Sequence, residues 1–216
     1  MFMSKKKIGV FEFILDFMYL KIMRFRLKNK DFSIICDDCW GGKVYLDLGI
    51  SYASPTVNIF IYSSCYIKLV KDLKAYMDKE LVFVEKSRYE RSNFGREKSG
   101  NKYPIGILDD IEIHFLHSKD QEDAQSKWDL RKKRINYDRL LFKFSDSFLN
   151  DPQDLISFEE LPIKNKIIFV SKKYEGLNNY ILLDEFKEQG FVSDPFKYRW
   201  IYRKHFDFVK WLNSFN

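Results

Sequence analysis

Reactive side chains are gathered most tightly at Cys36-Asp37-Asp38-Cys39-Trp40-Gly41-Gly42. The two thiols have the CxxC spacing of redox and zinc sites. The acids between them oppose that chemistry, because a nearby carboxylate raises a thiol's pKa and disfavours the thiolate. Zinc would need further ligands, and the third cysteine, Cys65, stands alone. Cys36 reads as a core residue at a strand end. Cys39 and His117 form a candidate nucleophile–base pair, with Asp110 or Asp146 to orient the imidazole. The plainer alternative for Cys39 is a structural thiol in a tight turn supported by Gly41-Gly42. The sequence leaves both open.

Three further groups carry candidate chemistry. Glu112 and His114 alternate with Ile113, Phe115 and His117. On a strand His114 and His117 face opposite sides, so one metal cannot take both without a bend. Asp109-Asp110 is either a solvated turn or a pair able to hold a divalent ion on a diphosphate. Ala124, Trp128, Arg131 and Ile135 recur at helical spacing. An arginine in that stripe either pairs with a buried acid or borders an anion site, with Arg134 one turn on. Lys172 and Lys173 offer a second anion contact. No Walker loop, GxGxxG, GxSxG or HExxH occurs, which argues against common NTPases, dinucleotide enzymes, α/β-hydrolases and zincins.

Elements to position these groups follow from the apolar pattern. Phe32–Cys36 is short, apolar and β-capable, as in a central strand covered on both faces. Strands are also expected at Val57–Tyr62, Leu81–Val84, Leu140–Phe144 and Lys166–Val170, with an edge strand at Tyr180–Leu183. Tyr103–Leu108 and Ile111–Leu116 suggest a hairpin or a bent strand. Helices are expected at Ser64–Asp78, Ser118–Ile135, Asp151–Leu161 and His205–Phe215, and a helical turn at Lys43–Leu48. Glu85–Lys102 reads as a long polar loop. Alternation of this kind implies α/β architecture: a mostly parallel sheet flanked by helices on both faces, a Rossmann-like three-layer arrangement. Ligands of such sheets bind beyond the carboxyl ends of the strands. That rule selects Asp37, Asp38, Cys39, Ser63, His117, Ser145, Asp146, Ser171, Lys172 and Lys173, and it fails for any antiparallel strand.

The chain has 216 residues and a formal charge of +6. Residues 1–30 hold eight of the 37 basic side chains and two of the 31 acidic ones, so this arm carries the whole excess. The balanced remainder argues against a nucleic-acid partner. The division expected is a basic amphipathic arm over 1–30 and one α/β domain over 31–216. Ile8–Phe25 is apolar but cut by Glu12, Asp16, Lys21 and Arg24, so its uncharged runs fall far short of the about 20 residues that span a bilayer. It reads as a helix packed on protein, or as an interfacial helix with a basic flank. The two acids favour packing, since they would face anionic lipid. Three cysteines without a signal-peptide pattern point to a reducing, cytoplasmic setting.

Several motifs occur in a set order: Cys39-Trp40-Gly41-Gly42, Ser54-Pro55-Thr56-Val57, Tyr103-Pro104-Ile105-Gly106, Asp110-Ile111-Glu112-Ile113-His114-Phe115-Leu116-His117, Trp128 with Arg131–Asn136, and Lys172-Lys173-Tyr174. Together they resemble an uncharacterised bacterial domain family labelled exopolysaccharide biosynthesis protein. The resemblance covers most of the body. It departs at Cys36-Asp37-Asp38, where the family pattern has Ser-Asn-Asn before the cysteine, and two acids change the electrostatics of that turn. What the resemblance implies is an enzyme of surface-glycan assembly, without a defined reaction; the reading adopted is a transferase of capsule or exopolysaccharide assembly, acting on a nucleotide- or lipid-linked sugar. A non-catalytic partner of that machinery, or a Cys–His acyl transferase or hydrolase, are the alternatives. His117, Asp110 and Cys39 are the expected catalytic groups. Asp38, Trp40, Gly41, Gly42, His114, Trp128, Arg131, Arg134 and Lys172 are the expected substrate contacts. No metal ligands are assigned, although a divalent metal would suit a nucleotide-sugar donor. Peripheral contact with the inner membrane face would run through residues 1–30.

Overall fold

The computed structural model describes residues 10–214. Lys5–Lys7 lie outside them. A four-stranded parallel sheet has the order β1 (Ser33–Cys36), β5 (Leu140–Ser145), β6 (Lys166–Val170) and β7 (Ile181–Leu182). Its side chains alternate with period two, and each set meets its own helical layer. Ile35, Phe142, Phe144, Ile168 and Val170 face α3 (Ser63–Lys71), α4 (Leu73–Met77), α6 (Gln121–Lys132) and α7 (Gln153–Glu160). Ile34, Cys36, Leu141, Ile167 and Phe169 face α1 (Val10–Arg26), α2 (Trp40–Leu48), α8 (Arg199–His205) and α9 (Phe208–Asn213). The three-layer α/β architecture read from the sequence is the architecture observed.

Not every strand joins that sheet. A separate antiparallel sheet contains β2 (Leu81–Val84), β3 (Ile105–Leu108) and β4 (Ile111–His114). Its tight β3–β4 turn places Asp109 in the left-handed region at φ 59°. The segment expected as a strand at 57–62 makes one antiparallel bridge instead. Phe60 exchanges two backbone bonds of 3.0 Å with His114, and Ile61 N–H donates to the Asp37 carbonyl at 2.8 Å. This short stretch therefore joins the two sheets. Cavity walls from both sheets meet at that join.

β1 is an edge strand rather than a central one, and its outer edge is closed by hydroxyls. The Tyr45 hydroxyl accepts from Ile34 N–H at 3.0 Å, and the Thr56 hydroxyl accepts from Cys36 N–H at 3.0 Å. Buried backbone groups left unpaired are costly, so these side chains do the work of a missing strand. Gly41 and Gly42 let α2 lie close to this edge. A Cβ would stand 2.8 Å from Cys36 Sγ at Gly41, and 2.5 Å from Asn58 Oδ1 at Gly42.

Three helical expectations change. Residues 85–102 contain α5 (Glu90–Ser99), whose single buried residue, Ser92, is too little to give a readable apolar stripe. The helix expected over 64–78 is divided at Asp72, whose φ of −144° breaks α3 and whose carboxylate caps α4 through Ala75 N–H. The C-terminal helix expected over 205–215 is the shorter α9, started by Asp207, which accepts from Lys210 N–H at 3.0 Å, and a helix not expected, α8, precedes it and stops at Phe206. Replacing Thr56 by valine keeps the shape and removes the hydroxyl that seals β1. We expect a loss of about 1–3 kcal/mol in denaturant unfolding; an unchanged midpoint would show that the edge needs no such seal.

Candidate functional site

The apolar strand β5 carries one charged residue, Lys143, whose side chain is fully buried. Period two turns it toward the same face as Cys36, beneath the first turn after β1. Its ammonium lies 3.0 Å from Asp37 Oδ1, 2.6 Å from Asp38 Oδ2 and 2.9 Å from Ser145 Oγ. Ser145 donates to Asp37 Oδ2 at 2.7 Å. Asp38 Oδ1 accepts from Trp40 N–H at 2.9 Å, which fixes the start of α2. One cation serves two carboxylates here. Burial and the neighbouring Asp38 push Asp37 up to about 7, against the pull of Lys143. The two acids raise the Lys143 ammonium above its ordinary value in spite of burial.

Above this cluster opens a cavity of about 600 Å³. Asp38 and Cys39 come from the end of β1, Ser147 and Phe148 from the end of β5, and Leu116 and His117 from the end of β4. Asn58 and Phe60 come from the joining segment, Arg91 from α5, and Phe191–Phe196 complete the wall. His117 arrives although β4 belongs to the antiparallel sheet, because the Phe60–His114 bridge brings that strand's end to the same edge. The 191–196 wall is tied down by Asp146. Its Oδ1 accepts from Val192 N–H at 2.7 Å, and its Oδ2 accepts from Ser171 N–H, Ser171 Oγ and Tyr174 Oη at 2.8, 2.7 and 3.1 Å. Asp146 is thereby occupied as a structural anchor. Asn58 holds φ 62°, an uncommon state for a non-glycine residue and one often found at functional sites.

His117 is exposed at the cavity rim. Partial desolvation lowers its pKa, opposed by the negative charge of Asp194 and assisted by Lys127. Its imidazole is therefore largely neutral near pH 7 and able to accept a proton. The acid whose charge His117 senses is Asp194, and not Asp110. Asp110 sits at the far end of β4, in the β3–β4 turn, bonded to Lys68 at 2.6 Å and Tyr76 at 2.7 Å. Cys39 shares the cavity with His117. Burial and Asp38 push its thiol well above the ordinary cysteine value, and its Sγ contact is the Ile59 carbonyl at 3.8 Å. Such a thiol is a weak nucleophile.

The other expected contacts scatter. Trp40 is buried against Phe169, Phe206 and Trp211, and Gly41 and Gly42 are packing positions. His114 is buried behind the wall, stacked on Phe60 at 4.0 Å, with Nε2 2.9 Å from Glu112 Oε1. Glu112 in turn accepts from Arg88 N–H at 2.9 Å and from Ser87, which holds the turn leading to α5 and Arg91. Trp128 is core. Arg131 finds neither an acid nor the cavity. It donates to the Val57 carbonyl at 2.9 Å and lies 5.1 Å over the Tyr52 ring, bracing the joining segment. Arg134 reaches the Tyr52 carbonyl at 3.4 Å, and Lys172 extends over Tyr174. Both are exposed and outside the cavity lining. Arg91, Asp194 and the aromatic rings were not read from the sequence, since no spacing links them. Lys143 had a signal, a lone lysine inside an apolar strand.

Fold and site define an α/β protein with a cavity at the carboxyl edge of its parallel sheet, walled on one side by a second, antiparallel sheet. The chain belongs to the family described as domain of unknown function DUF1919, whose model matches residues 11–213. It is similar to an uncharacterized protein of Haemophilus influenzae, 32% identical over 192 residues and covering 87% of each chain.

The buried cluster gives two measurable expectations. Lys143→Met leaves two carboxylates buried without their cation, and unfolding at neutral pH should show a loss of about 3–5 kcal/mol. Asp37 keeps its proton in the folded state where the unfolded chain has released it. Its contribution to stability is thus greatest at low pH and declines as pH rises from 3.8 through about 7. Over that window the wild-type stability, measured relative to Asp37→Asn, should fall steadily; a constant difference would contradict the assignment.

Proposed function

We propose that the cavity binds an activated sugar and that the protein transfers a glycosyl or related group in bacterial capsule or exopolysaccharide biosynthesis. The observation that carries this reading is the cavity itself. Phe148 and Phe196 offer apolar surfaces to the C–H face of a sugar ring, with Phe60 packed behind Phe148, while Asn58 and Asp194 offer bonds to hydroxyls. Arg91 is the cavity's cation and the natural neighbour of a phosphate. His117 stands at the rim as the base. The pathway half of the proposal rests on the ordered motifs that resemble the exopolysaccharide label.

In such a transfer the acceptor oxygen bonds to the anomeric carbon as the bond to the leaving phosphate breaks. The acceptor's proton passes to His117, and the phosphate leaves with the electron pair beside Arg91. Asp38 is committed to Lys143, Ser145 and Trp40, so it shapes the floor rather than serving as a free acid.

Titration calorimetry against a panel of nucleotide sugars tests binding directly. No binding across the panel would count against the proposal and favour a non-catalytic partner. With a donor in hand, His117→Gln should lower turnover by about 10²–10⁴-fold while leaving donor affinity within a few-fold. The acidic limb of the wild-type rate profile should fall below the ordinary imidazole value of 6.5, and Asp194→Asn should move it lower still. Cys39→Ala should retain activity; its complete loss would point instead to the thiol as nucleophile.

A further inference from the structure

Helix α1 has two unlike faces. Toward the body, Met23 is buried and Asp16 pairs with Arg203 and with Arg199 of α8, the latter at 3.4 Å. Arg24 donates to the Asp47 carbonyl of α2 at 2.8 Å. The outward face leaves Phe13 64%, Phe17 51%, Met18 54%, Ile22 51% and Phe25 92% exposed. Seven of the fourteen exposed large hydrophobic side chains among the described residues lie on this helix. Scattered exposed apolar residues are ordinary; a concentration of this kind marks a contact surface. Trp200 of α8, 37% exposed and 6.0 Å from the Tyr19 ring, extends it. Tryptophan suits a boundary with one apolar side and one wet side.

Charge decides what covers the face. Lys21 lies on it, its ammonium 4.7 Å over Phe17, and exposed Lys28 and Lys30 follow the helix. Lys5, Lys6 and Lys7 precede it in sequence. A second copy of the chain would bring two arms of +6 together, whereas an anionic surface complements them. The sequence objection to lipid was the pair of acids in the apolar run. Asp16 is now seen turned inward onto arginines, which leaves Glu12, near the helix N-terminus, as the exposed acid of α1. No helix among the described residues is long and apolar enough to cross a membrane. Seventeen residues give a helix of about 25 Å, suited to lying in the plane of the interface.

We propose that α1 seats the protein on an anionic membrane, with Phe17, Met18, Ile22 and Phe25 at the acyl boundary and Lys21 among the headgroups. This holds whatever the cavity takes. The test is co-sedimentation of the full chain with vesicles of phosphatidylcholine, alone or with about one-third phosphatidylglycerol. Binding is expected on the anionic vesicles, weakened by added salt. Met18→Glu with Ile22→Glu should cut it by about tenfold or more, with the unfolding midpoint unchanged because both side chains are exposed. Lys21→Glu, which alters charge alone, should weaken it about fivefold or more. Absence of binding at low salt, or equal binding by both variants, would overturn the proposal. So would a dimer in sedimentation velocity that the double variant disperses while wild type leaves vesicles unbound, since a second copy would then cover the face.

Discussion

Lys143 brings an ammonium group into the interior, and the turn after β1 is organised around it. Removed from water, the charge is tolerable only with carboxylates at bonding distance, and Asp37 and Asp38 provide them. Each acid is held a second time, by Ser145 or by Trp40 N–H, so the turn has little freedom. From that fixed corner α2 sets out in one direction while Cys39 faces the cavity in the other. The surplus negative charge is shared by the two acids and appears as the raised pKa of Asp37.

The cavity exists because two sheets meet without merging. One short extended stretch, Val57–Tyr62, bonds to β4 at Phe60 and to the end of β1 at Ile61. Arg131 braces its backbone at Val57, and Gly42 admits the Asn58 side chain. Strand ends from two differently built sheets are thereby brought to one hollow. Other recesses differ in kind. The hollow between α2 and α8 holds only about 20 Å³, and a groove of about 650 Å³ beside α5 has no imidazole, thiol or parallel-strand end.

Much of the fold was legible in the chain. Apolar runs at 33–36, 140–145 and 166–170 mark the parallel strands, and the rule about carboxyl ends led to Asp38 and Cys39 in the cavity; His117 shares it for another reason, the Phe60–His114 bridge, because its strand is antiparallel. Arg131 was legible as an anomaly in an apolar stripe but not as a backbone brace, because its acceptor is a carbonyl 74 residues away. Trp40 and His114 looked like site residues by type. Their burial depends on which face of a strand or helix meets the core, and composition does not encode that. Helix α5 was missed because it is anchored by Glu112 and by the Ser92–Tyr62 contact of 2.9 Å rather than by an apolar stripe.

The sequence by itself determined the layered α/β class, the location of the basic charge, and the strand ends at which polar groups collect, since periodicity and composition are local properties. Tertiary structure decided which groups meet. It gave His117 the company of Asp194 and Arg91, moved Asp110 to the far end of its strand, and turned Asp16 inward. The physical reason is that a charge takes its behaviour from its partners within a few ångströms, and here those partners come from distant parts of the chain.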